Sequence, residues 1–343
     1  MLSVLDVPPE WWERALDGWK GWWARHAGFA RGVVRAQQVA SAAALVVGAV
    51  ALAVVPRLAI GLVPALFMTG CLLVMGLLAR TRTLGLRPVL LLMSISVPWS
   101  LLIAFTTQAI GEAIGLSTLD DGARIALAAF IEEPGKLLPL LALAVLAPGR
   151  IRRLAAVDWA LLGFATGAGF TIAEDGARRL APPGMLAQIL GENRLEYSLN
   201  PWTAGRFVLP GGGWAESLLD IDGAPAGAMT TGHQIPTMGV AMGVALGLAL
   251  WRTRRPWLRA AAWLPPAAML TVAVVDHACY NATVGWSGWA DQDTAIPTWI
   301  RLLWQALGRG HAQITVSVVL FITCMLVDAH RRHRAGVVGD VAI

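Results

Sequence analysis

The stretch AAFIEEPGKLLPLLAL (residues 128–143) sets two adjacent carboxylates, a proline–glycine pair and a lysine inside a run that is otherwise apolar. Its surroundings decide how those charges are read. Of the 343 residues, 56% are hydrophobic and 14% charged, against about 45–50% and about 25% in soluble globular proteins. The composition is that of a membrane protein, and Glu132, Glu133 and Lys136 then stand at bilayer depth, where a charge is costly and usually faces a bundle interior or a hydrated cavity.

A spanning helix takes about 20 mostly apolar residues. Segments at about 36–55, 58–79, 88–110, 122–147, 156–181, 228–250, 260–281 and 311–328 meet or approach that requirement. The predicted fold is therefore all-α, a polytopic membrane helix bundle of about eight transmembrane helices. Basic residues outnumber acidic ones, 27 against 22, but their placement speaks for topology rather than for nucleic acid. Arg80, Arg82 and Arg87, then Arg150, Arg152 and Arg153, then Arg252, Arg254, Arg255 and Arg259 fall in alternate connections, on the side that also holds both termini. The positive-inside rule places that side, with both termini, in the cytoplasm, and the location expected is the plasma membrane.

Three regions follow. Residues 1–35 form a Trp-rich segment with Trp12, Leu16, Trp19 and Trp23 at helical spacing and basic residues between them, the pattern of a helix lying at the lipid interface, with a partner-binding helix as the other reading. Residues 36–328 form the membrane domain, with a Gly- and Pro-rich outer loop at about 182–227 and an amphipathic outer helix at about 296–308. Residues 329–343 make a basic cytoplasmic tail. Cys71, Cys279 and Cys324 lie in apolar segments without metal-ligand spacing and read as small buried hydrophobes.

Four segments bring ligand-type residues into the outer half of the bilayer. They are Glu132, Glu133 and Lys136 on the fourth, Glu174 and Asp175 on the fifth, His233 at the start of the sixth, and Asp276, His277 and Asn281 near the end of the seventh. Polar residues unrelated in function have no reason to agree in depth. Two neighbouring carboxylates in a low dielectric do not both ionise easily, which suits one of them to acid–base work. Glu132 and Lys136, at i and i+4, share a helix face, so Lys136 is expected to hold Glu132 ionised. Pro134 removes a backbone hydrogen bond, and a bend there would admit water. Glu and His side chains are suitable zinc ligands, and a catalytic zinc keeps a position for water. No ionisable cluster is evident on the cytoplasmic half.

The sequence resembles the PrsW family of intramembrane proteases, related to the CAAX prenyl proteases and bacteriocin-processing membrane enzymes. EEPGK matches that family's EExxK motif, FTIAE (Phe170 to Glu174) its FxxxE motif, His233 its isolated histidine, and HACYN (His277 to Asn281) its HxxxN/D motif. The resemblance implies hydrolysis of a peptide bond in a membrane-anchored protein near the outer face, as in the release of an anti-sigma factor. It implies Glu132 or Glu133 as the base that activates water, and Glu174, His233 and His277 as zinc ligands. Asn281 would be an orienting or oxyanion donor, with Lys136, Phe170 and Asp276 in support. The lipid bilayer and the protein substrate are the partners implied; the sequence leaves the oligomeric state open. Two other readings use the same residues: a proton- or ion-coupled transporter, and a non-catalytic scaffold of the same fold.

Overall fold

A computed structural model describes residues 11–54, 58–115, 121–146, 151, 153–180, 232–253, 255–284, 298–306 and 311–334. Every regular element among them is helical: α1 (Trp11–Arg25), α2 (Ala27–Val54), α3 (Leu58–Leu78), α4 (Leu86–Ala113), α5 (Asp121–Leu146), α6 (Ala156–Leu180), α7 (Gln234–Trp251), α8 (Pro256–Ala260), a 3₁₀ turn (Ala261–Trp263), α9 (Leu264–Val284), α10 (Thr298–Ala306) and α11 (His311–Arg334). The eight expected segments each fall on a helix. Five stretches among the described residues are long and apolar enough to cross a membrane: Leu86–Ala113, Ala156–Glu174, Gln234–Trp251, Pro256–Cys279 and Ala312–His333. Leu66, Leu77, Leu91, Phe105 and Leu326 point outward, each at least 60% exposed, an amount of bare apolar surface that soluble monomers avoid. The expected outer loop at about 182–227 lies outside the described residues.

The chain divides into two compact units, residues 1–59 and 60–343. In the first, α1 and α2 are separated only by a turn at His26, whose Nδ1 lies 2.7 Å from the Trp22 carbonyl. Trp19 stacks on Trp22 at 5.5 Å, and Trp22 on the His26 ring at 4.4 Å. The expected division at residue 35 is not a break, because α2 runs unbroken through it. Likewise α11 continues to Arg334, so the first residues of the expected tail are helical.

In the second unit α6 is the central element: 89% of its Ala156–Glu174 stretch is buried. It packs against α4, α5, α7 and α11, while α7 packs in turn on α9. Small residues make this closeness feasible. Side chains of lipid-compatible helices gain no hydrophobic advantage from leaving lipid, so tight backbone approach supplies the association. A Cβ at Gly163 would come within 2.8 Å of the Thr237 carbonyl and 2.5 Å of the Ala241 methyl. One turn on, a Cβ at Gly167 would strike the carbonyl of His233. On the opposite face of α7, Gly243 and Gly247 press on the backbones of Pro265 and Ala262.

The start of α6 carries a buried polar knot. Asp158 accepts from the amides of Thr83 (2.9 Å), Leu84 (3.1 Å) and Ala155 (2.8 Å), and from the Thr83 hydroxyl. Asp328, from α11, accepts from the amides of Ala156 (2.8 Å) and Val157 (2.9 Å). These are amides that a helix start leaves without intrahelical partners, and two carboxylates there also suit the helix dipole. Arg332 donates to the Thr81 carbonyl at 2.6 Å. The expectation of no ionisable cluster at the end of the bundle away from Glu132 and Glu133 is thereby corrected. The two acids are far apart in sequence, and only the fold unites them.

Candidate functional site

The far end of α6 meets α5, α7 and α9 around a second polar group. Pro134 and Pro139 both lie inside α5, yet the helix is continuous. Pro139 has no N–H to offer the Gly135 carbonyl one turn back, and Trp99 of α4 supplies a replacement, its indole N–H donating there at 3.0 Å. The backbone beside Lys136 is held by that bond and by the contact of Gly135 with the Ile103 side chain.

Consecutive residues on α5 then diverge. The Glu133 side chain is 1% exposed and that of Glu132 is 23% exposed. Lys136, fully buried, donates to Glu133 Oε1 and lies 2.6 Å from His233 Nδ1. The expected partnership of Lys136 with Glu132 is corrected: residues at i and i+3 share a face as well as those at i and i+4, and Glu133 is the one turned inward. The Lys136 ammonium also stands 5.5 Å from the centre of the Phe170 ring, a distance at which the ring face attracts a cation.

His233 precedes the first residue of α7 and is fixed by its backbone. Gly232 takes φ +60°, a left-handed conformation that a residue with a Cβ rarely adopts. The His233 amide donates to the Thr171 hydroxyl (3.1 Å), which donates in turn to Gln234 Oε1 (2.9 Å). The His233 carbonyl accepts from Thr237 (2.8 Å). With its main chain clamped to α6, the imidazole is directed at Lys136 through Nδ1 and at Glu174 through Nε2. On α9, His277 places Nδ1 2.7 Å from Glu133 Oε1 and Nε2 3.8 Å from Glu132 Oε2. The two imidazoles meet edge to face at 5.2 Å.

Donor chemistry sets the tautomers. A lysine ammonium only donates, so Nδ1 of His233 accepts and its Nε2 proton faces Glu174. Glu133 Oε1, which accepts from that ammonium, also faces Nδ1 of His277, so His277 donates from Nδ1 and turns the lone pair of Nε2 toward Glu132. The structure thus brings together Glu132, Glu133, Lys136, Phe170, Glu174, His233 and His277. Asp276 is buried on α9 next to His277. Asn281 lies one turn further along α9, but its side chain and that of Asp175 are outside the described residues. Sequence reasoning passed over Thr171, Gln234 and Trp99. Thr171 and Gln234 adjoin motif residues, one turn before Glu174 and directly after His233.

Among the described residues, Glu133, His233 and His277 each offer a ligand atom within 4.8 Å of the others, and their chemistry suits zinc. Glu174 contacts His233 rather than completing that trio. Lys136 already engages two of the three. Comparison with protein families, with curated proteins and with solved structures finds no match in any of the three.

Proposed function

We propose that this protein is an intramembrane endopeptidase that cleaves a membrane-anchored protein by glutamate-activated water. One observation carries this reading: two carboxylates, an ammonium and two imidazoles from α5, α7 and α9 converge at the end of α6 inside an apolar bundle, partnered by one another. Glu133, held by Lys136 and His277, orients the His277 ring. Glu132 is the more open carboxylate, and a water lying beside Glu132 Oε2 and His277 Nε2, themselves 3.8 Å apart, reaches both. Glu132 takes the water's proton as the hydroxide attacks the scissile carbonyl, and passes it to the departing amine. His277, through Nε2, fixes the water's direction. Asn281 is assigned to the developing oxyanion.

A zinc-assisted form of the same hydrolysis is the second reading, favoured by the 4.8 Å grouping of Glu133, His233 and His277. Those three would hold the ion, and zinc supplies Lewis-acid polarisation and an acidified water when bound. The topology that accompanies the proposal has eight spans, both termini in the cytoplasm, and the site in the outer half of the plasma membrane. A substrate of the anti-sigma-factor kind, cut near the outer face, fits that placement. A transporter would need a mobile relay at the other end of the bundle; Asp158 and Asp328 are bound to backbone amides there, which favours the hydrolase.

The test needs no prior substrate. New protein termini in the membrane fraction are compared by mass spectrometry between cells expressing the wild-type chain and cells expressing Glu132→Gln or His277→Ala. Termini near the outer ends of membrane anchors should appear with the wild type and vanish with both variants. Identical profiles, at equal expression, would sink the proposal.

A further inference from the structure

We propose that Lys136 is the resident cation of this site, its ammonium occupying the place between Glu133 and His233 that a metal ion would otherwise take. This deepens the hydrolytic reading above and rests on it for its catalytic meaning, although its central test is independent of cleavage.

Lys136 has no exposure to solvent, and a buried ammonium is tolerated only when its protons are accepted. Here Glu133 Oε1 accepts one, His233 Nδ1 lies at 2.6 Å, and the Phe170 face stands 5.5 Å away. Two of the three residues whose ligand atoms group within 4.8 Å are thereby engaged by a positive charge. A divalent ion on the same residues would sit against that ammonium in a low dielectric, where like charges repel strongly. Lysine and metal are alternatives rather than neighbours.

The ammonium also organises what surrounds it. Through Nδ1 of His233 it assigns that ring's proton to Nε2, facing Glu174. Through Glu133 it holds in place the carboxylate oxygen that faces Nδ1 of His277, which turns Nε2 toward the water position. Lys136 is accordingly a positioning residue, acting on the water through Glu133 and His277. The Trp99 bond to the Gly135 carbonyl holds the backbone at the residue before it, so the ammonium is delivered from a fixed point.

The experiment uses the full chain, purified in detergent and equilibrated with zinc alone before metal analysis. Wild type should retain less than about 0.1 zinc per chain, and Lys136→Ala about one per chain, lost again when His277→Ala is added, because vacating the ammonium leaves a Glu/His/His set suited to zinc. Cleavage, read from the terminus profile, should be lost in Lys136→Met and partly retained in Lys136→Arg, which keeps the charge. Near-stoichiometric zinc in the wild type, dependent on His277, overturns the proposal, and so does a folded Lys136→Ala that stays metal-free. Should Lys136→Ala not accumulate, the wild-type measurement alone decides. Failure of the hydrolytic reading looks different: the terminus profile is then indifferent to Glu132→Gln, whatever the metal content.

Discussion

The two ends of α6 each bury carboxylates, and they bury them on opposite terms. At its start Asp158 and Asp328 accept from the amides of Thr83, Leu84, Ala155, Ala156 and Val157. The amides of Ala156 and Val157 need acceptors because α6 begins there, and those of Thr83, Leu84 and Ala155 lie outside any helix, so fold and charge satisfy each other. At its far end, about 24 Å away at 1.5 Å per residue, Glu133 and Glu174 are met by Lys136, His277 and His233. No helix terminus requires those acids. The first knot closes the structure; the second gathers ionisable groups that meet one another rather than the backbone. A buried carboxylate is thus informative about function through the kind of donor it meets rather than through its burial.

Substitutions divide along the same line. The largest effect expected is at the far end: Glu132→Gln should lower the rate at which new termini appear by about 10³-fold, within the range for a lost general base, with no fall in thermal stability in detergent. A parallel loss of stability would break the contrast. Asp328→Ala should do the reverse, lowering unfolding stability by about 3 kcal/mol, since two buried amides lose their acceptor, while cleavage per folded molecule is unchanged. Gly167→Ala sits between the regions. A Cβ there meets the His233 backbone, overpacking that typically costs about 1–3 kcal/mol, and because it displaces His233 both readouts should fall together. The smallest change expected is Trp99→Phe, which strips the Gly135 carbonyl of its donor and should cost about 1 kcal/mol, with a modest loss of cleavage as α5 loosens beside Lys136.

Much of this was legible in the chain, because hydrophobic run length is a local property. Each apolar segment foretold a helix, and the motif residues Glu132, Glu133, Phe170, Glu174, His233 and His277 do meet. What stayed hidden depends on rotation and on distance in sequence. Adjacent Glu132 and Glu133 differ by about 100° around α5, and nothing local says which turns inward; the partner of Lys136 was misjudged for that reason. Asp158 and Asp328 are 170 positions apart, and neither looks unusual alone. Asp158 carried one local hint, as an acid in the first turn of a helix. Trp99 carried none, since its role exists only because Pro139 lies on a neighbouring helix.

The glycine seams of α7 bear on how variation would be distributed over this protein. Gly163 and Gly167 close on one side of α7, while its own Gly243 and Gly247 close on the other. A saturation library should therefore show α7 intolerant on two opposing faces, with only glycine surviving at positions 243 and 247. Outward residues such as Leu66 and Leu77 of α3 should accept any apolar side chain. His233 heads a helix packed closely on both sides, so the segment that carries a ring of the proposed site is also one where selection for shape alone would already hold the sequence still.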